Sequence, residues 1–181
     1  GTKRQAKQAV KEAAINSNQP YVTERWLGGM LTNGNTINGR IKHLKDLEKK
    51  MESGELAARY NKLEVQRFQE QIDQMNYNYG GIKELNGKPG IVFVTDVLED
   101  KNAVSEAKKL GVPVVAIVDT NADPSLIDYP IPANDDAIQS VKLITDLVAG
   151  AVLAGRGKMA EPVVKSVAKA VEKPAVKEEK A

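Results

Sequence analysis

Residues 91–121 read IVFVTDVLEDKNAVSEAKKLGVPVVAIVDTN, and this stretch decides the fold. Ile91-Val92-Phe93-Val94 and Val114-Val115-Ala116-Ile117-Val118 are continuous apolar runs of strand length. Each ends in polar residues, Thr95-Asp96 in one case and Asp119-Thr120-Asn121 in the other. Between them, residues 103–110 have helical periodicity, and Gly111-Val112-Pro113 stops that helix and starts the next strand. A strand apolar at successive positions needs cover on both faces, and two such strands joined through a helix run parallel with a right-handed crossover. The chain is therefore α/β, with a parallel sheet between helical layers.

Downstream, Ile127-Asp128-Tyr129-Pro130-Ile131-Pro132 predicts a short edge strand, because its prolines cannot donate to a ladder. Asp135 and Asp136 open a final helix reaching about residue 153. Ala137, Ile138, Val141, Ile144, Thr145 and Val148 form its inner stripe, and the acids sit at the positive end of its dipole. Upstream, residues 3–16 read as a helix with Ala6, Ala9, Val10, Ala13 and Ala14 toward the core, ended by Asn18-Gln19-Pro20; Tyr21-Val22 is a candidate short strand. From Asn35 a second helix repeats Ile37, Ile41, Leu44, Leu47 and Met51 until Ser53-Gly54 breaks it. A further helix carries Leu56, Tyr60 and Leu63, then Phe68, Ile72, Met75 and Tyr79, with a slip after Leu63. Two amphipathic helices joined by a short turn pair antiparallel and leave a polar outer face free. The expected organisation is a discontinuous α/β core (1–36 and 80–156), an inserted helical hairpin (37–79) and a disordered charged tail (157–181).

The 181 residues contain no cysteine, which excludes disulfides, thiolate metal sites and cysteine nucleophiles and fits a reducing, cytoplasmic compartment. The apolar runs are strand-sized, and nothing reads as a secretory signal or membrane span. Net charge is only +2, but its distribution is polarised: residues 1–50 carry +6 and residues 91–146 carry −6. A basic N-terminal half suits phosphate contact, since each cation placed on a phosphate releases counterions. His43, the single histidine, lies on the hairpin and reads as a surface residue.

The only tryptophan lies in Arg25-Trp26-Leu27-Gly28-Gly29-Met30-Leu31-Thr32-Asn33, between a cation and a Gly-Gly pair. The glycines permit an irregular loop, and the flanking apolar side chains pin it to the domain. This run, with Gly1-Thr2-Lys3-Arg4, Gly80-Gly81-Ile82, Ile117-Val118-Asp119-Thr120-Asn121-Ala122-Asp123-Pro124 and Ile131-Pro132-Ala133-Asn134-Asp135-Asp136-Ala137-Ile138, resembles in order and spacing the bacterial-type family of the second protein of the small ribosomal subunit. The likeness covers most of the chain to about Arg156. Because the first residues look like the end of a strand and the start of a helix, an N-terminal portion of that family, with its first strands, is expected to be missing here.

The resemblance implies a Rossmann-like or flavodoxin-like three-layer domain with an inserted coiled-coil hairpin. It implies a structural, non-catalytic component of the small ribosomal subunit at the head–body junction. Such a protein would bind small-subunit rRNA and support docking of the OB-repeat protein that recruits mRNA, with no cofactor, membrane contact or homo-oligomer, on a cytoplasmic or organellar ribosome. Carried over by position, the RNA-facing candidates are Thr2, Lys3, Arg4, Arg25, Trp26, Thr32 and Asn33, with Arg40, Lys42, Lys45 and Lys49 on the first hairpin arm. Lys and Arg would meet phosphates, Thr32 and Asn33 sugars or bases, and Trp26 would chiefly anchor the loop. Three departures stand out: Gly34 replaces a bulky residue, Ala133 replaces a glycine, and the hairpin is short around residues 55–60.

The competing reading comes from the same α/β pattern. Ligands of open parallel sheets bind outside the carboxyl ends of the strands, where Thr95, Asp96, Asp119, Thr120, Asn121 and Asp123 could hold a cation, a sugar or a small phosphorylated ligand. No G-x-G-x-x-G or P-loop follows either strand, and turn and capping chemistry accounts for most of these residues.

Overall fold

The computed structural model describes residues 1–157 except Asn86; the expectation for the tail falls almost entirely outside the described residues. Three parallel strands, β1 (Val92–Val94), β2 (Val114–Val118) and β3 (Tyr129–Pro132), form one sheet in that order. Val92 lies opposite Val114, and Ala116 opposite Pro130. Around the sheet stand α1 (Lys7–Ser17), α5 (Lys101–Lys109) and α6 (Ile138–Gly155). The chain between α1 and the sheet forms α2 (Gly34–Glu52), α3 (Glu55–Arg59) and α4 (Lys62–Tyr79).

The apolar runs divide by side-chain parity, as the pleat requires. Val92, Val94, Val114, Ala116 and Val118 join Val104 and Ala107 of α5 in one cluster. Phe93 and Ile117 join Ala6, Ala9 and Val141 on the α1 and α6 side in another. Val114, Ala116 and Ile117 are completely buried. The expectation of a parallel α/β sheet with both faces covered thus holds.

α1 begins four residues later than its periodicity suggests. Residues 3–6 form a turn in which the Ala6 and Lys7 N–H groups both donate to the Lys3 carbonyl. Its stop is as expected: Asn18 adopts left-handed φ of 51°, and the Gln19 N–H returns to the Ala14 carbonyl at 2.8 Å. Tyr21-Val22 does not join the sheet; the Tyr21 N–H donates to the Gly81 carbonyl at 2.9 Å, and the Val22 carbonyl accepts from the Gly1 amino group at 3.1 Å.

The slip after Leu63 marks a break in the helix itself. Tyr60 is extended, ending α3, and Asn61 starts α4 with a reciprocal capping box: its side chain accepts from the Glu64 N–H at 2.9 Å, and Glu64 accepts from the Asn61 N–H at 3.1 Å. Leu44 and Leu47 of α2 pack with Ile72 of α4, flanked by Met51, Phe68 and Met75. Nearer the sheet, Ile37 and Ile41 pack with Tyr79, Ile82 and Met30.

α6 departs from its predicted inner stripe at the start. Asn134 accepts from the Asp136 and Ala137 N–H groups at 2.8 Å each, and the helix begins only at Ile138, which is exposed; Val141 and Thr145 are buried. By length and composition α6 could cross a membrane, contrary to the sequence expectation; one side of it packs on α1 and, through Val141 and Ile144, on the sheet, while Ile138, Leu143 and Leu147 stay exposed. Ala133 needs no glycine-like conformation, because Asn18 is the single non-glycine residue with positive φ among the described residues.

Gly81 is needed for close approach. A β-carbon there would lie 2.2 Å from the Tyr21 backbone oxygen, too near for a side chain to yield. Gly81→Ala should therefore displace the segment leading to the Trp loop and destabilise the fold by about 1–3 kcal/mol. Chemical denaturation measures this directly, whereas Gly34→Ala, with open space at its β-carbon, should be neutral or stabilising.

Candidate nucleic-acid interface

The Trp loop is held from within by an acid on α5. Glu106 is 7% exposed, and its carboxylate accepts five hydrogen bonds from the loop. Trp26 Nε1 donates at 3.1 Å and the Gly29 N–H at 2.8 Å to Oε1; the Leu31 N–H at 2.9 Å, the Thr32 N–H at 3.1 Å and Thr32 Oγ1 at 3.2 Å donate to Oε2. Burial pushes the Glu106 pKa up, but the backbone N–H groups of Leu31, Thr32 and Gly29 and the indole outweigh it and hold the acid below its ordinary range. Gly29, at φ of 86°, lets the successive N–H groups converge.

The other side of the loop is apolar. Met30 is buried with Ile37, Ile41, Tyr79 and Ile82, and Trp26 and Leu27 pack against that cluster. Trp26 is thus an anchor at both its ring and its N–H. The loop runs straight into α2, where the Asn33 carbonyl accepts from the Ile37 N–H at 3.2 Å. Arg25 and Asn33 are left exposed, with no ion pair or side-chain hydrogen bond among the described residues.

Glu106 was missed by reading the sequence, although a signal exists. Ala103, Glu106, Ala107 and Leu110 fall at i, i+3, i+4 and i+7, so an acid occupies the inner stripe of α5. A charge on a buried stripe requires partners, but the sequence does not say which segment supplies them.

The remaining candidates divide sharply. The Thr2 hydroxyl donates to Asp100 at 2.8 Å, and the Thr32 hydroxyl is committed to Glu106. Lys3 reaches Asp96 at 3.0 Å, Asp135 at 2.9 Å and Asp136 at 2.7 Å. Lys45 pairs with Glu84 at 2.8 Å between two exposed side chains. Arg4, Arg40, Lys42 and Lys49 are exposed and have no carboxylate partner among the described residues. Arg25, Asn33, Lys42 and Lys49 therefore remain as an available basic and polar set on one continuous stretch, with Arg40 on the flank of α2 and Arg4 apart from it.

The strand ends are already occupied. Lys3 brings its own ammonium to the carboxylates where a ligand of an α/β enzyme would sit. Burial alone would lower its pKa, but the hydrogen bonds to Asp136, Asp135 and Asp96 dominate together and raise it. Asp96 resists the upward push of burial through the Glu99 N–H, Lys3 and the Leu98 N–H, so its pKa is lowered. Among the described residues no backbone N–H donates to the Asp135 carboxylate, whose donor is the Lys3 ammonium. Burial and the nearby charges of Asp96 and Asp136 prevail over Lys3 and raise the Asp135 pKa. Asp119 accepts from the Thr120 and Asp135 N–H groups, and Asp123 caps the Ser125 N–H.

The family model described as "Ribosomal protein S2" matches residues 1–155. Among similar curated proteins, the "Small ribosomal subunit protein uS2" of Fusobacterium nucleatum is 49% identical over 155 residues, spanning 86% of this chain and 63% of that protein. The protein of the same name from Coprothermobacter proteolyticus is 47% identical over 156 residues, spanning 86% and 58%. That from Mycoplasmopsis synoviae is 48% identical over 158 residues, spanning 87% and 53%. The chain thus spans little more than half the length of these relatives.

Proposed function

This chain belongs to the ribosomal protein S2 family, and on that footing we propose that it is a non-catalytic structural constituent of the small ribosomal subunit, contacting small-subunit rRNA through the Trp loop and the outer face of α2. The observation that carries the reading is the loop's construction. Glu106 absorbs the inward-facing N–H groups, while Arg25 and Asn33 stay exposed on the loop and Lys42 and Lys49, further along α2, are exposed without a carboxylate partner among the described residues. A loop whose backbone is already fixed loses little freedom when its side chains meet a phosphate.

Three finer assignments follow. α2 and α4 are read as an antiparallel coiled-coil hairpin inserted at residues 37–79 into a discontinuous Rossmann-like core. The grouping of Ile37 and Ile41 with Tyr79, and of Leu44 and Leu47 with Ile72, supports this reading. The second is a position at the head–body junction of a cytoplasmic ribosome, supporting the OB-repeat protein that recruits mRNA. The third separates the eleven candidate residues by role: Arg4, Arg25, Asn33, Arg40, Lys42 and Lys49 touch RNA, Lys45 adds an exposed cation, and Thr2, Lys3, Trp26 and Thr32 hold the surface in shape.

Arg25→Ala tests the reading, because the side chain is exposed and unpaired and its loss should leave the fold unchanged. Binding to protein-depleted small-subunit rRNA particles should weaken, and the slope of log affinity against log salt should fall by about one. Trp26→Ala should instead lower the unfolding midpoint. Equal salt slopes for the parent and Arg25→Ala would remove Arg25 from the interface.

A further inference from the structure

A groove between α1 and the C-terminal end of α4 lies apart from the loop just described. Lys11, Glu24, Asn76, Tyr77, Asn78 and Gly81 are among the residues that line it. Tyr77 is 57% exposed, although Tyr79 two residues on is buried. Glu24 lies beside the Tyr77 hydroxyl and raises its pKa, while Lys7 neutralises Glu24 at 2.6 Å. Much of the Tyr77 side chain stays open. Lys11 is exposed and has no carboxylate partner among the described residues. The Asn78 amide donates to the Gln74 carbonyl at 3.1 Å, which leaves its side-chain oxygen available.

An aromatic face, a free cation and an amide at one groove are the parts that recognise an unpaired nucleotide. The base stacks, the phosphate meets the cation, and the amide reads a base edge. Base-paired A-form RNA hides its base faces and cannot use such a platform. We propose that this groove holds one unpaired nucleotide of RNA, its base stacked on Tyr77 and its phosphate at Lys11. This assignment rests on the rRNA-binding reading and adds a second, single-stranded contact to it.

The test measures the full chain against a uridine oligoribonucleotide of roughly ten residues and a blunt RNA duplex. Tyr77→Phe keeps the ring and loses the hydroxyl; Tyr77→Ala loses both. Oligonucleotide affinity should fall about ten-fold in Tyr77→Ala and stay within roughly two-fold in Tyr77→Phe. Lys11→Ala should lower the salt slope by about 0.7, and ultraviolet cross-linking should place the nucleotide on the peptide containing Tyr77. Equal losses in both Tyr77 variants would overturn stacking in favour of a structural role for the hydroxyl. So would unchanged affinity in Tyr77→Ala, or a cross-link to a neighbouring protein alone in assembled subunits. If the chain ignores the oligonucleotide but binds rRNA particles in an Arg25-dependent way, the groove assignment falls and the rRNA reading stands; failure of both assays overturns the two together.

Discussion

Glu106→Ala should destabilise the protein by about 3 kcal/mol and loosen the Trp loop more than any other part of the fold. Hydrogen bonds to a charged acceptor contribute roughly 1.5–3 kcal/mol each. Five converge on this carboxylate, but water entering the space left by the side chain re-solvates part of the loop and keeps the loss below their sum. Glu106→Gln should also be costly, because its amide group turns two donors toward a nest made of donors. Hydrogen exchange at Gly29, Leu31 and Thr32 would localise the effect, and equilibrium denaturation would size it. An unfolding midpoint unchanged in both variants would mean that the apolar cluster alone fixes the loop.

The same carboxylate sets a pH dependence. Its pKa in the folded protein is held below the unfolded value. The stabilisation is therefore fully present above the ordinary glutamate range and is lost as pH falls through the depressed folded pKa. Glu106→Ala should accordingly show a shallower loss of stability on acidification than the parent.

The second large effect belongs to Lys3. Its side chain is 16% exposed, and it separates Asp96 and Asp135, whose side chains are 6% and 3% exposed. Lys3→Met keeps most of the aliphatic stem but leaves two buried acids without a cation, a change that costs about 3–5 kcal/mol near neutral pH. The contact to Asp136, 67% exposed, contributes little of this. The sign of the pH response identifies the mechanism. In the parent, the raised Lys3 pKa gives stability that is complete below the ordinary lysine range and is lost only as pH rises through the folded value. Asp96, with its lowered pKa, contributes stability that is lost on acidification, whereas Asp135, with its raised pKa, is relieved by it. In Lys3→Met, protonation removes the unpaired charges, so the deficit relative to the parent should shrink as pH falls. Asp135→Asn added to Lys3→Met should cost less than the separate changes suggest.

The sheet was legible because its signal is local. Val92 to Val94 and Val114 to Val118 are apolar at successive positions, and a parallel strand covered on both faces has no other economical explanation. The break at Tyr60-Asn61 left a trace in the periodicity, but a slip does not distinguish a kink from two helices, and the capping box that decides between them was overlooked. The site was legible only in part. The Trp loop announced itself by composition, and Arg25 and Asn33 stand exposed as a contact residue must. Lys3 and Thr2 read as free polar residues because nothing nearby in sequence claims them. Their partners Asp96, Asp135 and Asp100 lie some ninety or more residues away and come within reach only on folding. Glu106 shows the same limit from the other side, since its place on the α5 stripe reveals burial without revealing the loop that satisfies it.

Quantitative mass spectrometry of small ribosomal subunits, gradient-purified from the source cells and stripped with high salt, tests the central claim most directly. The account predicts this chain at close to one copy per small subunit, retained through the wash. Recovery in the soluble fraction, with the small subunits carrying none, would contradict it.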